Sequence, residues 1–174
     1  MGFRKKQIHR QGSKTLMKFE IEHKYLVLKD LWHSSKKPEG ILIKQGYLLD
    51  HPEKIIRVRV KRDQGFLTIK GPTVKATRLE YEYPIPVADA EELLQSFVGH
   101  CIEKIRFNII FAGKLWEIDE FLGDNEGLLL AEIELKSEAE TYEKPPWIGE
   151  EVTEDPRYYN SCLAKNPLKS WNQK

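Results

Sequence analysis

Residues 19–26 read Phe-Glu-Ile-Glu-His-Lys-Tyr-Leu, and the charged side chains in this stretch occupy every second position. Successive side chains of a β-strand point to opposite faces of the sheet, so a period of two predicts a strand. Glu20, Glu22 and Lys24 then share one face, while Ile21 lies on the other. The same alternation recurs along most of the chain, and it decides the fold class.

Seven further segments carry this pattern, and turn signals at residues 63–65 and 112–113 separate some of them. Strands joined by such short links pair as antiparallel hairpins. The seven segments are residues 41–49, 54–62, 65–70, 77–86, 102–111, 114–121 and 128–136. Together with the first, they predict eight antiparallel strands in a barrel or a strongly curved sheet.

Two other segments have the spacing of helices. Residues 87–98 carry apolar side chains at helical intervals, and residues 155–164 place Pro156 at an early helical position, where proline is tolerated. The expected fold class is therefore mainly β with peripheral helices. Residues 1–16 are polar and basic without any period, which predicts a disordered basic head, and residues 17–174 are predicted to form one domain.

The overall composition excludes several classes of protein. Among 174 residues, 28 Lys and Arg offset 27 Asp and Glu, so the net charge is only +1 and nucleic-acid binding is not expected. Cys101 and Cys162 have no metal-ligand spacing, which argues against a zinc site or a disulfide framework. No apolar run is long enough to span a membrane, and no signal peptide is visible. We therefore expect a cytoplasmic protein.

The polar faces of the predicted strands consist almost entirely of full charges. Such faces are usually solvated, which would make the chain an ordinary structural β-barrel with a charged exterior. Two features favour the opposite orientation: bases and acids are grouped on different strands, and uncharged polar residues are scarce on these faces. The bulky apolar faces would then be covered by the two helices or by a partner subunit, so a homodimer stays open.

Inward-facing charges would line a polar lumen. Its six bases would be Lys24, Arg57, Arg59, Lys70, Lys104 and Arg106. Its eight acids would be Glu20, Glu22, Glu80, Glu82, Glu117, Asp119, Glu132 and Glu134. Arginine and lysine match phosphate oxygens, whereas carboxylates hold Mg²⁺ or Mn²⁺. A polyphosphate that carries divalent metal needs both clusters, so this lumen predicts a triphosphate ligand.

The motif Glu-Ile-Glu-His-Lys at residues 20–24 resembles the ExExK motif that opens the CYTH superfamily, also called triphosphate tunnel metalloenzymes. The resemblance covers nearly all of residues 17–165 and is closest to the small bacterial tripolyphosphatase branch. It continues, in order, through residues 45–48, 57–59, 68–70, 80–82, 104–106, 116–119, 131–135 and 147–153. It implies an eight-stranded antiparallel tunnel with a charged lumen and a divalent-metal requirement.

The resemblance also implies a role for each charged residue. The six bases of the lumen match the family's phosphate-binding residues. The family's metal-binding acids match Glu20, Glu22, Glu132 and Glu134, and further tunnel acids match Glu80, Glu82, Glu117 and Asp119. We predict that Lys24, Glu132 and Glu134 are catalytic.

Three functions follow as alternatives. The first is metal-dependent hydrolysis of inorganic tripolyphosphate or a nucleoside triphosphate, by attack of water inside the tunnel. The second is an adenylyl cyclase of the same superfamily, which would share the phosphate-binding residues. The third is a non-catalytic protein that binds polyphosphate or nucleotide, although phosphate binding alone does not call for paired glutamates.

Overall fold

The computed structural model describes residues 21–74 and 77–171 of the chain. Glu20, predicted as a metal ligand, and the basic head of residues 1–16 lie outside the described residues. The described part is mostly antiparallel β-structure with a few short helices, as the alternation predicts.

Nine strands form one sheet in the order β5-β4-β3-β2-β6-β7-β8-β1-β9, and every neighbouring pair is antiparallel. Their bounds are β1 (Ile21–Val27), β2 (Ile41–His51), β3 (Lys54–Lys61), β4 (Gln64–Val74), β5 (Thr77–Ile85), β6 (Ile102–Phe111), β7 (Lys114–Phe121), β8 (Leu129–Leu135) and β9 (Ile148–Glu151). All eight predicted strands are present. The ninth, β9, pairs with β1 and was not predicted, because four residues are too few to show a period.

Three α-helices accompany the sheet: α1 (Lys29–Ser34), α2 (Val87–Phe97) and α3 (Asn160–Lys165). The helix predicted over residues 155–164 is divided, because a 3₁₀ turn at Pro156–Tyr158 precedes α3. Helix α1 was not predicted, since its six residues carry a single buried side chain, Trp32. None of the helices in the described ranges has the length and hydropathy of a membrane span.

The apolar core lies on the outer face of the sheet, away from the charged face. Trp32, Phe107, Trp116 and Trp147 pack together there with ring centroids 5.4–6.0 Å apart. Helix α2 covers Val58 and neighbouring residues on the outer face of β2, β3 and β4. Burying these faces stabilises the sheet and leaves its charged face free for another purpose.

The C-terminal segment covers one end of the charged face. Leu163 and Ala164 of α3 pack against Phe121, Leu128 and Leu130. This packing brings residues 159–161 to the charged side of the sheet, although they lie far from the strands in sequence. The outer face of β4 and β5 is less covered in this chain, because Ile69, Tyr81 and Tyr83 stay exposed. The homodimer therefore stays a prediction.

Candidate active site

The charged face of the sheet encloses a cavity of about 390 Å³. Strands from both halves of the sheet contribute to its wall, so the sheet curves around it. Eleven of the charged lining residues come from seven strands: Glu22, Lys24, Arg57, Arg59, Lys61, Lys70, Glu80, Glu82, Arg106, Glu117 and Glu132. Glu134 completes the charged lining. The charged faces therefore point inward, as the grouping of acids and bases predicts.

Strand register explains why the carboxylates meet. In the β1–β8 pair, Glu22 lies opposite Glu134 and Lys24 lies opposite Glu132. In the β7–β8 pair, Glu117 lies opposite Glu132. Directly opposed side chains in antiparallel strands have Cβ atoms about 4.5–5.5 Å apart. Acids from three adjacent strands therefore form one continuous patch on the cavity wall.

Lys24 lies between two of these acids. Its Nζ donates to Glu132 Oε1 at 2.5 Å and also to Glu22. Burial alone would lower the pKa of Lys24, but the carboxylates of Glu132 and Glu22 outweigh it and raise the pKa. Lys24 is therefore a permanent cation at neutral pH.

Arg106 links the acid patch to Asp119, which is buried behind it. Its Nε and Nη2 form a bidentate pair with Asp119, with both distances 2.6 Å, and Nη2 also donates to Glu132 Oε2 at 2.8 Å. A further bond joins Nη1 to Glu117. These contacts fix the plane of the guanidinium, because bidentate pairing specifies geometry as well as energy.

The acids of the patch differ in the direction in which their pKa is shifted. Burial would raise the pKa of Glu132, but Lys24 and Arg106 hold it well below its usual range. Burial raises the pKa of Glu22, and the nearby charge of Glu132 adds to this effect. Burial likewise raises the pKa of Glu117. The charge of Glu132 contributes to both rises, so negative charges lie close together at this wall, which favours the arrival of a cation.

A second group of bases occupies the opposite wall, on β3 and β4. Arg57 Nη2 donates to Thr68 Oγ1 at 3.1 Å and to Glu82 Oε2 at 3.4 Å. Lys70 Nζ lies 2.6 Å from Glu80 Oε2. The buried Nε of Arg57 has no hydrogen-bond partner among the described residues. A buried donor without an acceptor is costly. A ligand oxygen that accepted a hydrogen bond from this Nε would therefore stabilise the wall.

Arg59, next to Arg57 on the same face of β3, has a neutral partner. Its Nε and Nη2 donate to the side-chain oxygen of Gln45 at 3.1 and 3.0 Å. Gln45 is fully buried and lies opposite Arg59 in the β2–β3 pair. Its neighbours on the same face of β2, Ile43 and Tyr47, carry no charge, so the alternation of charged residues does not point to Gln45.

Two predicted lumen residues lie behind the cavity wall. Lys104 is completely buried, and its Nζ donates to Asp119 Oδ2 at 2.5 Å and to Asn160 Oδ1 at 3.3 Å. Asp119 is also buried and is shared with Arg106. Burial lowers the pKa of Lys104 to about 8, although Asp119 opposes the shift. In this geometry Lys104 and Asp119 support Arg106, and direct contact of Lys104 with phosphate stays a prediction.

Several cavity residues were not predicted from the sequence. Lys61 is not among the six bases predicted for the lumen, but it lines the cavity together with Arg57 and Arg59 on the same face of β3. Its period-two spacing was the available signal. The cavity residues Tyr159, Asn160 and Ser161 carried no such signal, because tertiary packing alone brings the C-terminal segment to the site.

The acid patch suits a hard divalent cation in its chemistry. Within residues 21–74 and 77–171, no three acidic, histidine or cysteine side chains form a ready-made metal cage. Mg²⁺, however, typically takes one or two carboxylates and completes its shell with water and substrate phosphates. Glu22 and Glu134, opposed across the β1–β8 pair, offer such carboxylates. The donor set therefore fits an ion that is shared with a phosphate ligand.

Comparisons with known proteins agree with this geometry. The sequence profile of the CYTH domain matches residues 18–161, which span the strands that form the cavity. An inorganic triphosphatase of Acetivibrio thermocellus is 50% identical over 155 residues, which cover 88% of this chain and 98% of that protein. An inorganic triphosphatase of Nitrosomonas europaea is 39% identical over 153 residues, covering 83% of this chain and 96% of that protein.

The likeness extends to three dimensions. A crystal structure of an inorganic triphosphatase superposes on this chain with a TM-score of 0.62 at 36% sequence identity. The superposition covers 85% of this chain and 95% of that structure. The match is nearly complete in length on both sides, so the cavity-forming strands belong to the shared part.

Proposed function

Because this chain belongs to the CYTH domain family, we propose that its cavity binds inorganic triphosphate and hydrolyses it with the help of a divalent metal ion. The observation that carries this proposal is the division of the cavity wall. Bases on β3 and β4 face an acid patch on β1, β7 and β8, and Lys24 and Arg106 lie within that patch. A triphosphate with its metal ion needs both walls at once.

The bases would hold the phosphate chain. Arg57 and Arg59 present guanidinium groups that match phosphate oxygens, and the unpartnered Nε of Arg57 would gain an acceptor. Lys24, Lys61, Lys70 and Arg106 add ammonium and guanidinium charge around the same cavity. In phosphoryl transfer, catalysis consists largely of positioning and charge stabilisation, which such an array supplies.

The acids would have two different roles, orienting the cations and holding the metal ion. Both oxygens of Glu132 are engaged, one by Lys24 and the other by Arg106, so Glu132 orients these two cations. Glu134 is exposed to the cavity and has no charged partner within the described residues, so it is free to hold metal. Mg²⁺ or Mn²⁺, held by Glu22 and Glu134, would neutralise charge on the phosphates.

The proposed reaction is a direct attack of water on the terminal phosphate. A water oxygen attacks the terminal phosphorus, the bond from that phosphorus to its bridging oxygen breaks, and the products are orthophosphate and pyrophosphate. The proton of the attacking water passes to solvent water. Arg106 and Lys24 would stabilise the charge that develops on the phosphate oxygens, because hydrogen bonds already hold both cations in place and no reorganisation is needed.

The test is a substrate panel with the full chain. Phosphate release is measured from tripolyphosphate, ATP and thiamine triphosphate, with Mg²⁺ or Mn²⁺, alongside a cyclic AMP readout. We expect the highest kcat/KM with tripolyphosphate and no cyclic AMP, since both named relatives are inorganic triphosphatases. Formation of cyclic AMP would favour the cyclase alternative, and binding without turnover of any substrate would favour the non-catalytic one.

A further inference from the structure

Among the cavity arginines, Arg59 is the one without an acidic partner in residues 21–74 and 77–171. Four other cations of the cavity have a carboxylate oxygen within 4.0 Å: Lys24, Arg57, Lys70 and Arg106. For Arg59, the described residues offer no carboxylate at this distance. Its guanidinium charge is therefore the least compensated among the arginines that face the ligand space.

Gln45 replaces the missing carboxylate. One oxygen, Gln45 Oε1, accepts from both Nε and Nη2 of Arg59, so a single edge of the guanidinium is held against β2. The amide nitrogen of Gln45 donates to Tyr47 at 3.4 Å, which fixes the orientation of the amide. The Nη1 group of Arg59 has no hydrogen-bond partner within the described chain. It is therefore available to an oxygen of a ligand in the cavity.

The choice of an amide has an electrostatic consequence. A neutral acceptor satisfies the hydrogen bonds of a half-buried guanidinium, as a carboxylate would, but it leaves the positive charge intact. Burial, together with the like charges of Arg57 and Arg106, lowers the pKa of Arg59 to about 10, so the group stays protonated at neutral pH. A polyanion entering the cavity therefore meets the full charge of Arg59.

We propose that Gln45 is a positioning residue that orients Arg59 toward the substrate while keeping its charge uncompensated, and that this contact sets the affinity for triphosphate. The inference rests on the proposed function. It assigns a role to a residue that lies behind the cavity wall and that carries no charge itself.

The test compares binding of inorganic triphosphate to the full chain in excess EDTA, by isothermal titration calorimetry, so that turnover does not interfere. Gln45→Glu keeps the shape and both hydrogen bonds but pairs Arg59 with a carboxylate. We expect its Kd to rise about tenfold or more, which is typical for the loss of a charge-assisted contact. The dependence of Kd on salt should also weaken, because the cavity has lost one net positive charge.

Two further variants make the test specific. In an Arg59→Gln background, Gln45→Glu should change Kd much less than in the wild type, because the charge that it would neutralise is absent. Gln45→Met removes the acceptor without adding charge, so it should weaken binding while leaving the salt dependence near that of the wild type. Circular dichroism and thermal unfolding establish that each variant is folded, and Gln45→Met serves if Gln45→Glu does not fold.

The outcomes separate this inference from the proposed function. If the wild type binds triphosphate and folded Gln45→Glu binds equally well, the role of Gln45 is wrong while the proposed function stands. An equal loss in the wild-type and Arg59→Gln backgrounds would also overturn it, because the effect would not pass through Arg59. If Gln45→Met is the usable variant, wild-type affinity in that protein overturns the inference. A wild-type chain that binds no triphosphate in EDTA overturns this inference, whereas the proposed function is decided separately by phosphate release with Mg²⁺ or Mn²⁺.

Discussion

Lys24 on β1 and Glu132 on β8 are direct partners in the strand register, and Lys24 Nζ donates to Glu132 Oε1 at 2.5 Å. The other oxygen of Glu132 accepts from Arg106 at 2.8 Å. Glu132 thus links two cations of the cavity that come from different strands. Because buried charges are costly unless they are paired, this contact stabilises the cavity wall, and a ligand that binds Lys24 or Arg106 must compete with Glu132.

Glu132→Gln should reduce turnover without weakening binding of metal-free triphosphate. The substitution removes the acceptor charge that orients Lys24 and Arg106, and losing one preorganised electrostatic contact typically lowers kcat on the order of a hundredfold. It also removes negative charge beside a polyanion, so Kd should stay equal or fall. The measurements are kcat and calorimetric Kd. Glu143→Gln, at an exposed acid outside the cavity, is the control; near-normal kcat in folded Glu132→Gln would contradict the role.

Arg57→Ala should lower kcat/KM for tripolyphosphate by about 1.5–3 kcal/mol, the range of a charge-assisted hydrogen bond. Arg57 lines the cavity, and its Nε has no partner within the described residues. Lys54→Ala removes an exposed base from the same strand and should leave kcat/KM unchanged. Steady-state kinetics with tripolyphosphate give kcat/KM for both variants and the wild type. Equal effects would show that only the overall charge of the strand matters.

Lys104 should make stability depend on pH between about 8 and 10.5. Its pKa falls from the ordinary 10.5 to about 8 in the folded chain, so the unfolded chain binds more protons in this window. The free energy of unfolding therefore rises with pH there. At about 1.4 kcal/mol per unit, the Lys104 contribution amounts to about 3 kcal/mol.

Urea unfolding of the wild type and of Lys104→Met at pH 7.5 and pH 10 measures this contribution. The difference in free energy of unfolding, wild type minus variant, should increase with pH. Parallel pH dependences of the two proteins would show that the buried ammonium is not destabilised. The same variant tests its predicted phosphate contact, since a residue behind the wall should affect stability more than triphosphate Kd.

Metal removal should abolish turnover reversibly. Excess EDTA should stop release of phosphate, and added Mg²⁺ or Mn²⁺ should restore it, because the acid patch offers the hard oxygen ligands that these ions prefer. Full turnover in excess EDTA would contradict the proposed metal requirement. Glu134→Gln should raise the metal concentration needed for half-maximal activity, whereas Glu143→Gln should not. A metal titration of activity distinguishes the two variants.

The sequence alone determined the strands and the face on which each charge lies. Arg57 and Arg59, or Glu132 and Glu134, are two residues apart, and strand geometry places such pairs on the same side of a sheet. A slip by one residue would exchange the charged and apolar faces, so the pattern specifies the register strongly. The antiparallel β-fold was predictable for this reason, whereas the inward orientation of the charges was favoured by the grouping of bases and acids on different strands.

Only the tertiary structure decided which charges meet the ligand. Lys104 and Arg106 have the same parity on β6, yet Lys104 is covered by Asp119 and Asn160 while Arg106 lines the cavity. Lys61, at the end of β3, reaches the cavity instead of bulk solvent. A period of two specifies a face and carries no information about depth along it. Depth depends on how the sheet curves and on where the distant C-terminal segment packs, and both are set by long-range contacts.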